Sequence, residues 1–301
     1  MSTTTQAPAA EHLSFEQPKE RARRETTIRL ALIAATMVGI VVLTVLIIRV
    51  LATGLEYLDV SFLTSLPSRI NPDAAGVSPG LTGTLSLMLL VALGSFPLGI
   101  GAALYLEEFA PKNRVTNLIE TNIANLAGVP SVVYGLLGAG LFVGILDFGR
   151  SLLAGGLTLI LLILPVIIVT SREAIKAVPN ALREGGLGLG ATKWQTTYKL
   201  VLPQAMPGMI TGAILGLSRA IGEAAPILVV GATSARFRNS SPLDLFEQFS
   251  ALPINIYNFT FDPDPVFQSI AASAIIVLLG ALLLMNGIAI YFRNRASKGV
   301  R

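Results

Sequence analysis

The chain has 301 residues, of which 52% are hydrophobic and only 13% are charged, and its mean hydropathy is +0.69. A soluble domain could not cover so much apolar surface with so little charge, so the composition excludes a soluble protein and indicates an integral membrane protein. The net charge of +4 is modest, the chain has no nucleic-acid-binding motif, and the lack of cysteine excludes disulfide and thiol chemistry.

The amino-terminal segment is polar. Residues 1–10 are rich in Thr, Ala and Pro and residues 11–25 are charged, so residues 1–27 are predicted to form a disordered cytoplasmic tail. The apolar run 28–50 is too long for the hydrophobic region of a signal peptide, and no small-residue cleavage site follows it. We therefore expect a retained membrane span.

Six stretches reach the roughly 20 apolar residues that an α-helix needs to cross a bilayer. The predicted fold class is an all-α integral membrane protein with six transmembrane helices, in one transmembrane domain of residues 28–301. The predicted spans are residues 28–50, 81–106, 122–146, 151–170, 202–233 and 266–292. Their many glycines favour tight helix packing, with pore shaping as the alternative.

The distribution of basic residues predicts the orientation. Sixteen Lys and Arg lie in the tail, in the loops after the second and fourth spans and after the sixth span, against five on the other side. Both termini and the loop after the fourth span are therefore predicted to be cytoplasmic. On the outer side, residues 236–265 are expected to contain a short amphipathic helix that includes Leu243, Leu245, Phe246, Phe249 and Leu252.

A polar, glycine-bearing island separates the fourth and fifth spans at residues 184–203. Residues 183–190 are expected to turn sharply, and residues 191–199 to form a helix with Trp194 and Tyr198 on one face, four residues apart. A plain amphipathic helix between two spans is the alternative. Residues 186–191 also fit a dinucleotide-binding pattern, but transmembrane flanks in place of a strand exclude that function.

The fifth predicted span contains an arginine and a glutamate four residues apart, Arg219 and Glu223. On a continuous helix they would share one face, about 80° wide, with Gly208, Gly212, Gly216 and Pro226. Charges inside a membrane face a partner helix or a water-filled path, so we expect a role in translocation, with a structural salt bridge as the alternative. Arg172, at the end of the fourth span, either lines the cytoplasmic mouth or snorkels to the interface.

The chain has no Walker motif for ATP, and its single histidine, His12, lies in the tail. No His or carboxylate cluster has the spacing of metal ligands, so neither a metal site nor enzymatic catalysis is expected.

Four segments together resemble the phosphate permeases of type I ABC importers, the PstA family, over about residues 81–293. They are residues 128–135, 171–180, 184–203 and 218–226. The third matches the "EAA" loop, with Gly185 and Gly186 in place of its two alanines. Each replacement lowers helix propensity by about 1 kcal/mol and predicts a less rigid docking helix.

The resemblance implies a permease subunit that forms half of the path of an ATP-driven inorganic phosphate importer in a bacterial cell membrane. The implied partners are a homologous PstC-like permease, a PstB-like ATPase dimer that binds ATP and magnesium, and an extracytoplasmic PstS-like phosphate-binding protein. Sulfate or molybdate transport, or phosphate signalling without transport, are the alternatives. The expected coupling residues are Glu184, Gly185, Gly186, Gly190, Ala191, Trp194 and Tyr198. The expected path residues are Arg172, Arg219 and Glu223.

Overall fold

A computed structural model describes residues 19–68, 71–232 and 244–298. Within these ranges the chain forms α-helices and short 3-10 and π turns, but no β-strand, which confirms the all-α prediction. In the described part of the chain, five helices are long and apolar enough to cross a membrane, or six if one bent pair counts as a span. The α-helices are α1 Lys19–Gly54, α2 Val60–Thr64, α3 Ser78–Leu104, α4 Arg114–Leu126, α5 Ser131–Gly138, α6 Leu152–Lys176, α7 Asn180–Gly188, α8 Lys193–Thr196, α9 Leu202–Ile221, α10 Ala225–Val230, α11 Leu252–Thr260 and α12 Val266–Lys298. The π turns are Tyr105–Phe109, Ala139–Ile145 and Thr197–Val201, and Pro72–Ala74 forms a 3-10 turn.

The chain divides into two compact units, residues 1–49 and 50–301. In the first unit, α1 begins at Lys19, well before the predicted span start at residue 28. The predicted tail is therefore helical from Lys19 onward, because residues 19–25 are Lys, Glu, Arg and Ala, which are good helix formers. Residues 1–18 lie outside the described residues.

The second unit is organised around α6, because 67% of the most apolar stretch of this helix is buried inside the protein. Its side chains Leu159, Ile163 and Ile167 pack in one cluster with Leu87 of α3 and Ile221 of α9. Between apolar helices in a membrane, van der Waals packing rather than the hydrophobic effect supplies the attraction, so small residues matter where backbones approach.

Three glycines on α9 allow that close approach to α6. A β-carbon at Gly208 would lie 2.7 Å from Cβ of Ala174, and one at Gly212 or Gly216 would press on Thr170 or Ile167. The expectation that these glycines serve tight packing is confirmed by these distances.

The third predicted span is not one straight helix. Helices α4 and α5 are bent by 103° across a short break, so the predicted span over residues 122–146 is either a broken span or a re-entrant loop. Pro130 lacks an N–H group and disfavours helical backbone at Val129, and the chain therefore leaves the helix there. The Tyr134 hydroxyl donates to the carbonyl of Leu126 at 2.8 Å and so supplies a partner to the freed end of α4.

The fifth predicted span also ends early. Helix α9 stops at Ile221 and Gly222 caps it, and α10 is a separate short helix that ends at Val230 and is capped by Gly231, whose φ is +104°. The predicted span over residues 202–233 is therefore not one continuous helix, because Gly222 and the following Pro226 interrupt it, and residue 233 lies outside the described residues.

The short helix that the structure describes within residues 236–265 lies later in the sequence than expected. It is α11, which begins at Leu252 with Pro253 in its first turn, a position where the missing N–H of proline costs nothing. Leu245, Phe246 and Phe249 precede it in turns and extended chain, and Leu243 lies outside the described residues.

Candidate functional site

The loop between α6 and α9 folds into two short helices, and we call residues 180–201 the coupling segment. Helix α7 ends in a Schellman arrangement, in which the Gly190 N–H donates to the Leu187 carbonyl at 2.9 Å and the Ala191 N–H to the Gly186 carbonyl at 3.1 Å. Gly190 has a φ of +82°, which favours glycine. The expected sharp turn therefore occurs only at Leu189 and Gly190, because residues 183–188 are helical despite their glycines.

The two glycines that replace the alanines of the "EAA" loop have different surroundings. A β-carbon at Gly186 would lie 2.8 Å from Oγ1 of Thr196 and 2.9 Å from Cδ1 of Leu200, whereas nothing lies within 4 Å of one at Gly185. Gly186 therefore permits the close contact of α7 with α8 and the following π turn, and Gly185 is free of that constraint. Glu184 is exposed beside them.

Helix α8 starts at a capping box. The Gln195 N–H donates to the Thr192 hydroxyl at 3.2 Å, and the Thr192 N–H donates to the Gln195 side chain at 2.9 Å. The helix is α-helical only to Thr196 and continues as a π turn into α9. Trp194 and Tyr198 stack with ring centroids 6.2 Å apart, which confirms that they share one face.

The coupling segment exposes a large apolar area. Leu189 is 91% exposed, and Trp194 and Tyr198 are each 59% exposed. Lys193 and Lys199 add positive charge to the same segment. Exposed aromatic and aliphatic side chains at this density are typical of a surface that a partner protein covers.

The Arg219 side chain donates from Nε to Oε1 of Glu223 at 3.2 Å. Arg219 lies in the last turn of α9, where a cation is favoured by the helix dipole, and Glu223 lies beyond the helix end. The predicted shared helical face from Gly208 to Pro226 is therefore wrong beyond Ile221. The Arg219 side chain is 42% exposed and that of Glu223 is 17% exposed, so the pair lies accessible at the break between α9 and α10.

Arg172 has a different environment from Arg219. Its side chain is only 11% exposed, and Nη2 lies 2.7 Å from Glu120 of α4 and 3.3 Å from Glu107 of the π turn after α3. Two carboxylates therefore compensate its charge and hold α4 and α6 together. This geometry favours a structural role for Arg172, and its role in the substrate path stays a prediction.

A second buried ion pair, between Arg183 and Glu108, was not predicted. The Arg183 Nε donates to Oε1 of Glu108 at 2.9 Å, while its other nitrogens donate to the carbonyls of Ile175 and Val178 at 2.9 and 2.6 Å. The one available signal was the consecutive carboxylates Glu107 and Glu108 at the end of a span, since such charges require partners when they are buried.

The membrane-spanning part of the chain matches a known family. The family described as "Binding-protein-dependent transport system inner membrane component" matches residues 95–298. The probable ABC transporter permease protein YqgI of Bacillus subtilis is 34% identical over 266 residues, which cover 85% of this chain and 88% of the relative. The phosphate transport system permease protein PstA of Mycobacterium leprae is 35% identical and covers 76% and 75%, and that of Yersinia pestis is 29% identical and covers 88% of both.

Solved structures share the fold at low sequence identity. A bacterial alginate ABC transporter chain superposes with a TM-score of 0.64 at 15% identity, over 94% of this chain and 99% of that chain. The MetNI methionine ABC transporter gives a TM-score of 0.57 at 18% identity, over 74% and 94%. With the bent helices and the exposed coupling segment, these matches show that the chain belongs to the binding-protein-dependent inner membrane components, the permease subunits of ABC importers, and is a transport subunit rather than an enzyme.

Proposed function

We propose that this permease forms half of the translocation path of an ATP-driven importer of inorganic phosphate. The observation that carries the proposal is the accessible Arg219–Glu223 ion pair at the helix break, 3.2 Å between Nε and Oε1. The resemblance of the surrounding segment to PstA proteins, and the relatives of that name, support the same substrate. Broken helices in transporters commonly border substrate sites.

The chemistry of the pair suits a protonated oxyanion. Near neutral pH, phosphate carries one or two negative charges and keeps at least one proton. A guanidinium group binds its oxygens with two parallel charge-assisted hydrogen bonds. A neighbouring carboxylate accepts the hydrogen bond of the remaining proton, which sulfate lacks. Arg219 therefore supplies affinity for the anion and Glu223 supplies discrimination.

The coupling segment is the surface on which a PstB-like ATPase dimer would dock, and that dimer would bind ATP and magnesium. The exposed side chains of Leu189, Trp194 and Tyr198 support this assignment. A PstC-like second permease would complete the path, and a PstS-like protein would deliver phosphate from outside. This chain would hold no cofactor of its own.

The proposed orientation places both termini and the coupling segment in the bacterial cytoplasm. Because the chain has no cysteine, single cysteines report accessibility without background. We expect Val60→Cys to react with an impermeant maleimide in intact cells and Leu189→Cys to react only in inverted vesicles. Both native side chains are exposed in this chain, at 77% and 91%, so burial within the permease does not limit either reaction when the permease is expressed without the ATPase. Reaction of Leu189→Cys from outside intact cells would exclude the ATPase docking assignment.

The function is tested by uptake of labelled phosphate in cells with and without the gene. Deletion should remove ATP-dependent uptake, and the restored gene should return it. Excess unlabelled phosphate should compete with the label, and sulfate or molybdate should not. Unchanged uptake together with altered phosphate-responsive gene expression would instead favour a signalling subunit, and efficient competition by sulfate would favour another oxyanion.

A further inference from the structure

The π turn Tyr105–Phe109, at the end of α3, contacts three other elements with three consecutive side chains. Glu107 pairs with Arg172 of α6, Glu108 pairs with Arg183 of α7, and the Phe109 ring lies 5.9 Å from the Trp194 ring of α8. π-Helical turns are rare and often occur at functional sites.

The Glu108–Arg183 pair is the most constrained of these contacts. The Glu108 side chain is 8% exposed and that of Arg183 is 19% exposed. A buried charge that loses its partner is strongly disfavoured, so separation of the two side chains is costly. Arg183 also binds the carbonyls of Ile175 and Val178 near the end of α6.

The neighbouring contacts extend the connection in both directions. Arg172 links Glu107 to Glu120 of α4 at 2.7 Å. The Lys193 ammonium lies 5.5 Å from the centre of the Phe109 ring, which is within the range of a cation–π interaction. The end of α3 thus contacts the coupling segment through Phe109 and Glu108 and the body of the bundle through Glu107.

We propose that the π turn Tyr105–Phe109 transmits movement of the coupling segment to α3, with Glu108 and Arg183 as its positioning residues. The proposal rests on the proposed function, in which an ATPase moves the coupling segment. The Ala110 N–H donates to the Tyr105 carbonyl at 2.8 Å, which closes the π turn with a hydrogen bond. Pro111 follows, and the helical segment that begins with α3 ends at this turn. Force on α7 therefore reaches α3 through the ion pair. This route is separate from the covalent connection of α7 through α8 to α9.

The test is the number of phosphate ions transported per ATP hydrolysed, measured on the complete complex in proteoliposomes. Glu108→Gln keeps the size of the side chain but removes its charge. We expect this ratio to fall at least about fivefold, because coupling between two sites typically amounts to a factor of about 5–150. The ATPase should co-purify at the parental stoichiometry, because Leu189 and Trp194 are unchanged and Arg183 keeps its hydrogen bonds to the carbonyls of Ile175 and Val178. The double variant Glu108→Gln/Arg183→Gln leaves no unpaired buried charge, so its assembly should match the parent while its ratio stays low.

Glu173→Gln is the matched control. Glu173 forms an exposed ion pair with Lys176 at 3.0 Å, and Lys176 belongs neither to the π turn nor to the coupling segment. It should keep the parental ratio. A parental ratio in Glu108→Gln, or a loss of assembled complex with an unchanged ratio per complex, would overturn the proposal. Recovery of the ratio in the double variant would also overturn it. Failure of the parental complex to transport phosphate would instead contradict the proposed function.

Discussion

Replacement of Arg219 with glutamine is expected to reduce phosphate uptake by about ten- to hundredfold while the complex assembles normally. Hydrogen bonds to a charged group contribute about 1.5–3 kcal/mol, and about 1.4 kcal/mol corresponds to a factor of ten. The variant also leaves the Glu223 carboxylate, 17% exposed, to repel the anion. Initial rates of labelled-phosphate uptake, divided by the amount of permease in the membrane, give the effect.

The companion variants distinguish a substrate role from a structural one. Glu223→Gln should retain part of the phosphate flux and admit more sulfate, since the amide no longer excludes a fully deprotonated anion. Arg293→Gln, at the far end of α12, serves as the charge-matched control and should transport at the parental rate. If Arg219 and Glu223 only stabilise the bundle, both single variants should lower membrane abundance, and exchange of the two residues should restore it.

Replacement of Gly186 with valine is expected to separate α7 from α8 and to reduce uptake by roughly tenfold or more. The added atoms would enter the space held by Thr196 and Leu200, less than 3 Å from the new β-carbon. Overpacking of this kind costs about 1–3 kcal/mol. The displaced coupling segment would then present Trp194 to the ATPase in a different position, so ATPase co-purification should fall with uptake.

Gly185→Val is the matched control for packing, because nothing lies within 4 Å of a β-carbon at Gly185. The comparison is made on the permease purified without its ATPase, as thermal stability and as resistance of the coupling segment to proteolysis. Gly186→Val should be the less stable and more readily cleaved protein. Equal stability and equal cleavage of the two variants would show that the close contact at Gly186 is not needed.

The sequence predicted where the membrane helices lie better than it predicted where they break. Apolar runs identify spans because bilayer thickness sets their length. The hydrophobicity of a run such as residues 122–146 does not show, however, whether the helix in it is straight or bent. The 103° bend occurs at the Gly128–Pro130 region and is stabilised by the hydroxyl of Tyr134. Gly222 ended α9 for a similar local reason, although the hydrophobicity continued beyond it.

For the candidate sites, the sequence predicted contacts between residues that are close in the chain but not those between residues that are far apart. Trp194 and Tyr198 are four residues apart in sequence, as are Arg219 and Glu223, so helical spacing predicted both contacts, although Glu223 lies beyond the end of α9. The partners of Arg172 and Arg183 are 65 and 75 residues away in sequence, at Glu107 and Glu108. Only the packing of α3 against α6 brings these charges together, and one sequence alone does not specify that pairing.

We infer that this chain couples an ATPase to the movement of phosphate. The most direct test of this coupling is uptake of labelled phosphate into proteoliposomes that contain both permeases and the ATPase. ATP is enclosed on the ATPase side of the membrane, and the binding protein is added on the opposite side. We expect accumulation that requires ATP hydrolysis and the binding protein, and that Arg219→Gln lowers by at least about tenfold. Phosphate accumulation at the parental rate with Arg219→Gln, or none with the parental chain in an ATP-hydrolysing complex, would contradict the account.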